Sequence, residues 1–182
     1  PLGNSWGLGY DSTRDLFIVA DPGADVLTTV DMSGARQNTW PTPTPGPVGL
    51  AYDPARDLYW ISDWMVDALS SMNPDGTAGP IHYVPMGSRL AGTGYDGASD
   101  ALVYHGRGQA LGYWVDAESG AFIDSYSVPM GGGNNGTGAG VDPATSNVWI
   151  GHYEQPTLFC IEGLGYVTAT ESSTWSCIKS LY

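Results

Sequence analysis

Two histidines, three carboxylates, an arginine and two aromatic residues are the side chains whose types and positions suit chemistry or recognition: Asp21, Asp63, Trp64, His105, Arg107, His152, Tyr153 and Glu154. Imidazole and carboxylate together can hold a divalent cation or move a proton, while an indole or phenol among polar groups can stack on a sugar or anchor a protein surface. The motifs that would commit them to catalysis are missing. No His-Glu-x-x-His, zinc-type cysteine pairing, calcium-loop pattern or Gly-x-Ser-x-Gly elbow occurs. No residue is assigned a catalytic role and no cofactor is expected, with calcium at the carboxylate-bearing loops the ion these residues would suit best. The glycine-rich run 131–136 lacks the Lys-Ser/Thr of a phosphate cradle and reads as a connector. It overlaps a glycosylation sequon at Asn135-Gly136-Thr137.

Charge narrows the partners. Nineteen acidic residues against six basic ones give a formal net charge of −13, which repels phosphate backbones and anionic lipid. Nucleic acid and membrane insertion are therefore not expected, and no run approaches the roughly 18 apolar residues of a membrane span. The cysteines, Cys160 and Cys177, are expected to form a disulfide, which points to an extracellular or cell-surface location. Such a bridge is worth about 3 kcal/mol through restriction of the unfolded chain.

The elements that must position these residues announce themselves as a repeat. Four segments align without a gap: Gly7-Leu8-Gly9-Tyr10-Asp11, Gly49-Leu50-Ala51-Tyr52-Asp53, Gly92-Thr93-Gly94-Tyr95-Asp96 and Gly138-Ala139-Gly140-Val141-Asp142, with starts 42, 43 and 46 residues apart. Each is followed at constant offset by an apolar run: Leu16 to Val19, Leu58 to Ile61, Ala101 to Tyr104 and Asn147 to Ile150. These runs are β-branched and aromatic on both faces, as strands sandwiched between sheets must be. Third strands end at Val30-Asp31, Met72-Asn73, Val115-Asp116 and Ile161-Glu162. Fourth strands are read at Gln37 to Trp40, Ile81 to Val84 and Phe122 to Val128, each meeting a proline that suits an outer edge. The last blade closes with either Tyr166 to Thr170 or Trp175 to Tyr182.

Four short strands per unit at this spacing define an all-β protein, a four-bladed β-propeller of four-stranded antiparallel blades. The small residues of each first strand place it along the axis, where bulky side chains would collide. Residues 1–6 are set aside as a tag remnant or leader. Residues 7–182 form a single domain with blades of about 7–46, 47–89, 90–133 and 134–182. The aspartates Asp11, Asp53, Asp96 and Asp142, present in every unit, are expected to cap their own turns rather than form a ligand ring.

The second unit, Leu58-Tyr59-Trp60-Ile61-Ser62-Asp63 followed by Asn73-Pro74-Asp75-Gly76, resembles the YWTD repeat and its NHL and SMP-30-type relatives. The first unit keeps the terminal aspartate as Asp21, whereas Gly106 and His152 stand there in the third and fourth. The resemblance implies a propeller of a kind that usually has six blades. Four units therefore imply either a closed monomeric ring, the expected state, or an arc that shares its ring with another chain.

By up-and-down connectivity, loops after the second strand and loops between blades share one end of the propeller. That end carries all eight residues named above and is the expected ligand-binding face. The function expected is a non-catalytic extracellular binding or scaffold module that engages a glycan or protein there. Two alternatives stand beside it: a metal-dependent lactonase- or lyase-like propeller enzyme, as the resemblance allows, and a structural repeat fragment of a larger surface protein.

Overall fold

The computed structural model describes residues 3–84, 89–106, 111–127, 136–152 and 158–161, with the side chains of 136, 137 and 152 outside that description. Every described element is a strand. The first blade holds β1 (Gly7–Asp11), β2 (Leu16–Asp21), β3 (Val26–Asp31) and β4 (Arg36–Pro41). The second holds β5 (Pro47–Asp53), β6 (Leu58–Asp63), β7 (Ala68–Met72) and β8 (Ala78–Tyr83). The third holds β9 (Leu90–Asp96), β10 (Ala101–Gly106), β11 (Leu111–Asp116) and β12 (Phe122–Ser127). Of the fourth, β13 (Gly136–Val141), β14 (Val148–His152) and β15 (Leu158–Ile161) are described. Each blade is an antiparallel meander in chain order, and together they form the expected four-bladed β-propeller.

The repeat survives at the level of register. Gly9 faces Ile18, Ala51 faces Trp60, Gly94 faces Val103 and Gly140 faces Trp149, so the same ladder opens all four blades. β8 starts three residues earlier than the sequence suggests and contains Pro80. It is the outer strand of its sheet, where a missing N–H removes no ladder bond.

Alternation along each strand sends side chains to both neighbouring blades. Tyr59 and Trp60 are consecutive and fully buried. Tyr59 enters the core between blades one and two with Ile18, Leu27, Leu50 and Tyr52. Trp60 enters the core between blades two and three with Leu90, Leu102, Tyr104 and Tyr113. A third core joins Val103, Trp114 and Tyr126 of blade three to Val148, Ile150 and Phe159 of blade four. Among the described residues these three cores join successive blades, and the inner strands touch in the order β1, β5, β9, β13.

Each repeated aspartate caps its turn as expected. Asp53 Oδ1 accepts from the backbone N–H of Ala55 and Arg56 at 2.9 and 3.1 Å, and Asp11 Oδ1 does the same for Thr13 and Arg14. Burying Asp11, Asp53 and Asp96 is tolerable because each is hydrogen-bonded. The arginines go further and tie one blade to the next. Arg14 holds Asp11 in its own turn and grips Asp57 of blade two with two bonds of 2.7 and 2.6 Å. Arg56 holds Asp53 and grips Asp100 of blade three at 2.6 Å twice. These arginines keep Asp57 and Asp100 below the ordinary carboxylate range.

The inner strands lie so close that backbone meets backbone. A Cβ on Gly92 would fall against the backbone nitrogen of Ala139 in blade four, whereas nothing described stands within 4 Å of one on Gly140. Gly92→Ala should therefore lower unfolding free energy by roughly 1–3 kcal/mol, as overpacking does. Gly140→Ala should be neutral or gain up to about 1 kcal/mol from lost unfolded-state freedom; urea denaturation of both variants measures the contrast. Asp57 and Asp100, depressed in the fold, contribute stability that is present above their unfolded value near ~3.9 and lost as pH falls through their folded values. Asp100→Asn should flatten part of that acid limb, measured as urea midpoint against pH.

Candidate functional site

The end of the propeller that carries the β2–β3 type turns and the inter-blade connections gathers an aromatic and cationic surface around Trp64. β6 ends at Asp63, whose buried Oδ1 accepts the N–H groups of Met65 and Val66 at 2.6 and 3.0 Å and so folds the turn that presents Trp64, Met65 and Val66. The turn closes through Asp67 in the left-handed region at φ 50°, a conformation that suits aspartate. Trp64 lies on the connection between blades one and two. Its backbone N–H donates to Gly46 O at 3.2 Å, and its ring would strike any Cβ on Gly46, at 2.5 Å. Gly46 has φ 77°, so both conformation and space require glycine there. The Gly46 N–H donates in turn to Asp25 Oδ1 at 2.8 Å, which anchors the connection to blade one.

Two further groups complete the surface. Trp6 lies 5.8 Å from Trp64, ring centroid to centroid, at an interplanar angle of 42°. The Arg89 guanidinium sits over the Trp64 ring at 5.7 Å, within cation–π range. Trp6 is held by its own N–H to Ala20 O at 3.0 Å and by Asn4, whose side-chain oxygen accepts the indole N–H at 3.1 Å. The Asn4 backbone N–H donates to Asp21 Oδ2 at 3.1 Å. Trp6, Met65 and Val66 are exposed, at 49%, 64% and 38%.

The residues singled out in the sequence thus take different places. Trp64 is at the centre of the surface. Asp21 and Asp63 stand at the expected end but act as turn caps, with Asp21 also accepting from Gly23 and Ala24. His105 lies within β10, fully buried and paired in register with Gly92 and Gly112, because that strand runs on to Gly106. His152 is the last residue of β14. Arg107, Tyr153 and Glu154 lie outside the described residues, as does Cys177; Cys160 is buried in β15. The structure brings Asp21, Asp63 and Trp64 to one end of the molecule, with Asp63 buried beneath the turn that carries Trp64. It adds Trp6, Met65, Val66 and Arg89, which sequence reading missed. Trp6 belonged to the stretch set aside as leader, and Arg89 precedes β9 with no local signal tying it to Trp64. Among the described residues no group of three or more His, Cys, Asp or Glu is placed to hold a metal ion.

Fold and surface together define a β-propeller that presents an aromatic platform at its inter-blade end. No protein-family model matches the sequence, and no curated protein does. Solved structures do. The chain is similar to a protein of the nidogen/laminin complex, with TM-score 0.71 and 16% identity over 88% of this chain and 60% of that one. It is also similar to hydrazine synthase of Kuenenia stuttgartiensis (0.68, 11%, 88% and 46%) and to a streptogramin B lyase (0.67, 14%, 89% and 52%). The chain spans about half the length of these structures. At such identities the likeness is one of fold, and it joins a protein named for a complex with others named for catalysis.

Burial pushes the Asp63 carboxyl above its ordinary range, the Met65 and Val66 N–H groups lower it, and the charge of Asp25 raises it. Its Oδ2 is buried without a hydrogen-bond partner. A raised folded value means that stability is greatest below the unfolded value and declines as pH rises through the folded one. Asn at this position keeps the acceptor for Met65 and Val66 and removes the charge. Asp63→Asn should therefore gain stability relative to the parent as pH rises above the unfolded carboxylate value of about 3.9, the gain growing with pH; paired urea titrations measure it.

Proposed function

We propose that this chain is a non-catalytic extracellular binding module that seats a protein partner on the platform of Trp6, Trp64, Met65, Val66 and Arg89. The observation that carries the reading is the packing of the tilted Trp6 ring and of the Arg89 guanidinium against Trp64 beside two exposed apolar side chains. Trp, Met and Arg are the residues enriched where proteins bury surface against one another, and Trp and Arg dominate binding hot spots. A glycan would use the same tryptophans, but Met65 and Val66 offer it no hydrogen bonds, which favours a protein. The net charge of −13 disfavours anionic partners. His105, central to a lyase-like reading, is buried within its sheet, which supports binding over catalysis.

Laminin, named with the nidogen structure, is the first protein to test, together with a panel of extracellular proteins and a glycan array. For a ligand found this way, Trp64→Ala should weaken affinity by about 30-fold or more, the loss of a hot-spot residue worth ~2 kcal/mol. Met65→Asp should weaken a protein ligand strongly and a glycan little. A ligand whose affinity ignores both substitutions removes the platform from consideration. Conversion of streptogramin B by the purified chain would overturn the non-catalytic reading.

A further inference from the structure

At the opposite end of the molecule, the joints between blades follow a rule that blade one leaves half satisfied. Where a blade's turn carries arginine three residues after its capping aspartate, the next blade carries aspartate in the left-handed position of the corresponding turn. Arg14 meets Asp57, at φ 54°, and Arg56 meets Asp100, at φ 52°. In both, the tyrosine of the receiving inner strand also donates to that aspartate: Tyr52 to Asp57 at 2.8 Å and Tyr95 to Asp100 at 3.0 Å. Where the arginine is replaced by Ser99, the aspartate is replaced by Ser146, at φ 56°, whose hydroxyl donates to Asp96 at 3.0 Å. Arginine goes with aspartate, and serine with serine.

Blade one has the receiving half of the charged joint. Asp15 stands in the left-handed position at φ 56°, and the Tyr10 hydroxyl donates to it at 2.7 Å. Among the described residues no arginine reaches it. The inner strand beside it is exposed where its counterpart is buried: Leu8 and Tyr10 are 67% and 47% exposed, Leu50 and Tyr52 only 5% and 8%. The Tyr10 and Phe17 rings meet at 5.9 Å, tilted by 55°, on this face.

We infer that the Leu8–Tyr10–Asp15 face of blade one is a docking surface for a further propeller blade whose turn reads Asp-x-x-Arg, the arginine closing on Asp15 as Arg14 closes on Asp57. The occupant is not a second copy joined through its fourth blade. That blade carries Thr145 in the arginine position, and Thr145 donates to its own Asp142 at 2.8 Å. Charge complementarity selects an arginine-bearing blade and rejects a threonine-bearing one. This surface is separate from the Trp64 platform and does not rest on the function proposed for it.

The test supplies the missing arginine. A copy of residues 7–48 placed directly ahead of Gly7 gives the chain a fifth blade that reaches Gly7 through the native 42–48 connection and carries a copy of Arg14. Hydrogen exchange at the β1 amides should slow at least ten-fold relative to the parent. That protection should be lost with Arg→Ser in the added copy or with Asp15→Asn. Equal protection with and without the added arginine overturns the proposal, as does no protection in a five-blade chain that folds. A second measurement needs no added blade. The parent should stay monomeric in sedimentation, while Thr145→Arg should raise self-association at least ten-fold, reversed by Asp15→Asn. A parent that already dimerises and protects β1 makes a second copy the occupant and overturns the inference.

Discussion

The approach of the inner strands is the constraint on which the rest of the molecule depends. β1, β5, β9 and β13 run side by side with so little room that a Cβ on Gly49 or Gly92 would meet the backbone of the next blade. Small residues at the axis force each sheet to diverge outward, and the widening wedge between neighbours has to be filled. The large side chains sit where the wedge opens, on the second and third strands: Tyr59, Trp60, Tyr104, Tyr113 and Trp114 are all buried at that radius. The outermost strands β4, β8 and β12 have nothing beyond them and are largely exposed. One steric limit thus sets the order small, large, polar from axis to rim in the three blades whose outer strand is described.

The acidity of the chain has a structural origin that its sign alone conceals. Asp11, Asp53, Asp96 and Asp142 cap the turns at one end, and Asp21 and Asp63 cap turns at the other. Asp31, Asp75 and Asp116 do the same for the outer hairpins, where Ser33, Thr77 and Ser119 hold each carboxyl below its ordinary range. A tight turn leaves backbone N–H groups without ladder partners, and a short carboxylate is the side chain best placed to accept them. Much of the negative charge is therefore occupied in folding, and its field is a by-product of turn construction. The Trp64 surface differs from this acidic background in being built from aromatic and apolar side chains and one arginine, with its carboxylates Asp21 and Asp63 occupied as turn caps.

What could be read from the sequence was local and periodic. The strand runs, the turn aspartates and the axial glycines recur at fixed offsets, so each unit corroborates the others, and the blade architecture follows from their agreement. The platform escaped because its parts come from positions that do not repeat. Trp6 precedes the first unit, Arg89 stands just ahead of β9, and the two meet only through Trp64, which packs onto Gly46. His105 shows the opposite failure. Its counterpart in blade two is Ser62, the same number of residues along the second strand, and both are fully buried. A histidine there looks like a loop residue by type and is a strand residue by register. The left-handed aspartates Asp15, Asp57 and Asp100 were also legible in principle, since each follows its capping aspartate by four positions. Their role as receivers appears only across the blade boundary.

Repeat architectures distribute stability over interfaces between neighbours, so unequal joints make unequal blades. The joints after blades one and two each combine an apolar core with a doubly bonded arginine, whereas the joint after blade three has a core and a single hydrogen bond from the Ser146 hydroxyl to Asp96. The Trp64 platform stands across the first of the arginine joints. Its indole lies on the connection from blade one, its turn belongs to blade two, and Asp25 and Asp63 hold the two sides from below. Relative movement of these blades would separate Trp6 from Trp64, and the Arg14–Asp57 bridge at the far end of the same interface resists that movement. A partner that docks here meets aromatic groups already fixed in place, so little conformational entropy remains to be lost on binding. In the proposed binding role, the polar joint at one end of the interface would thereby support recognition at the other, without any residue of that joint touching the partner.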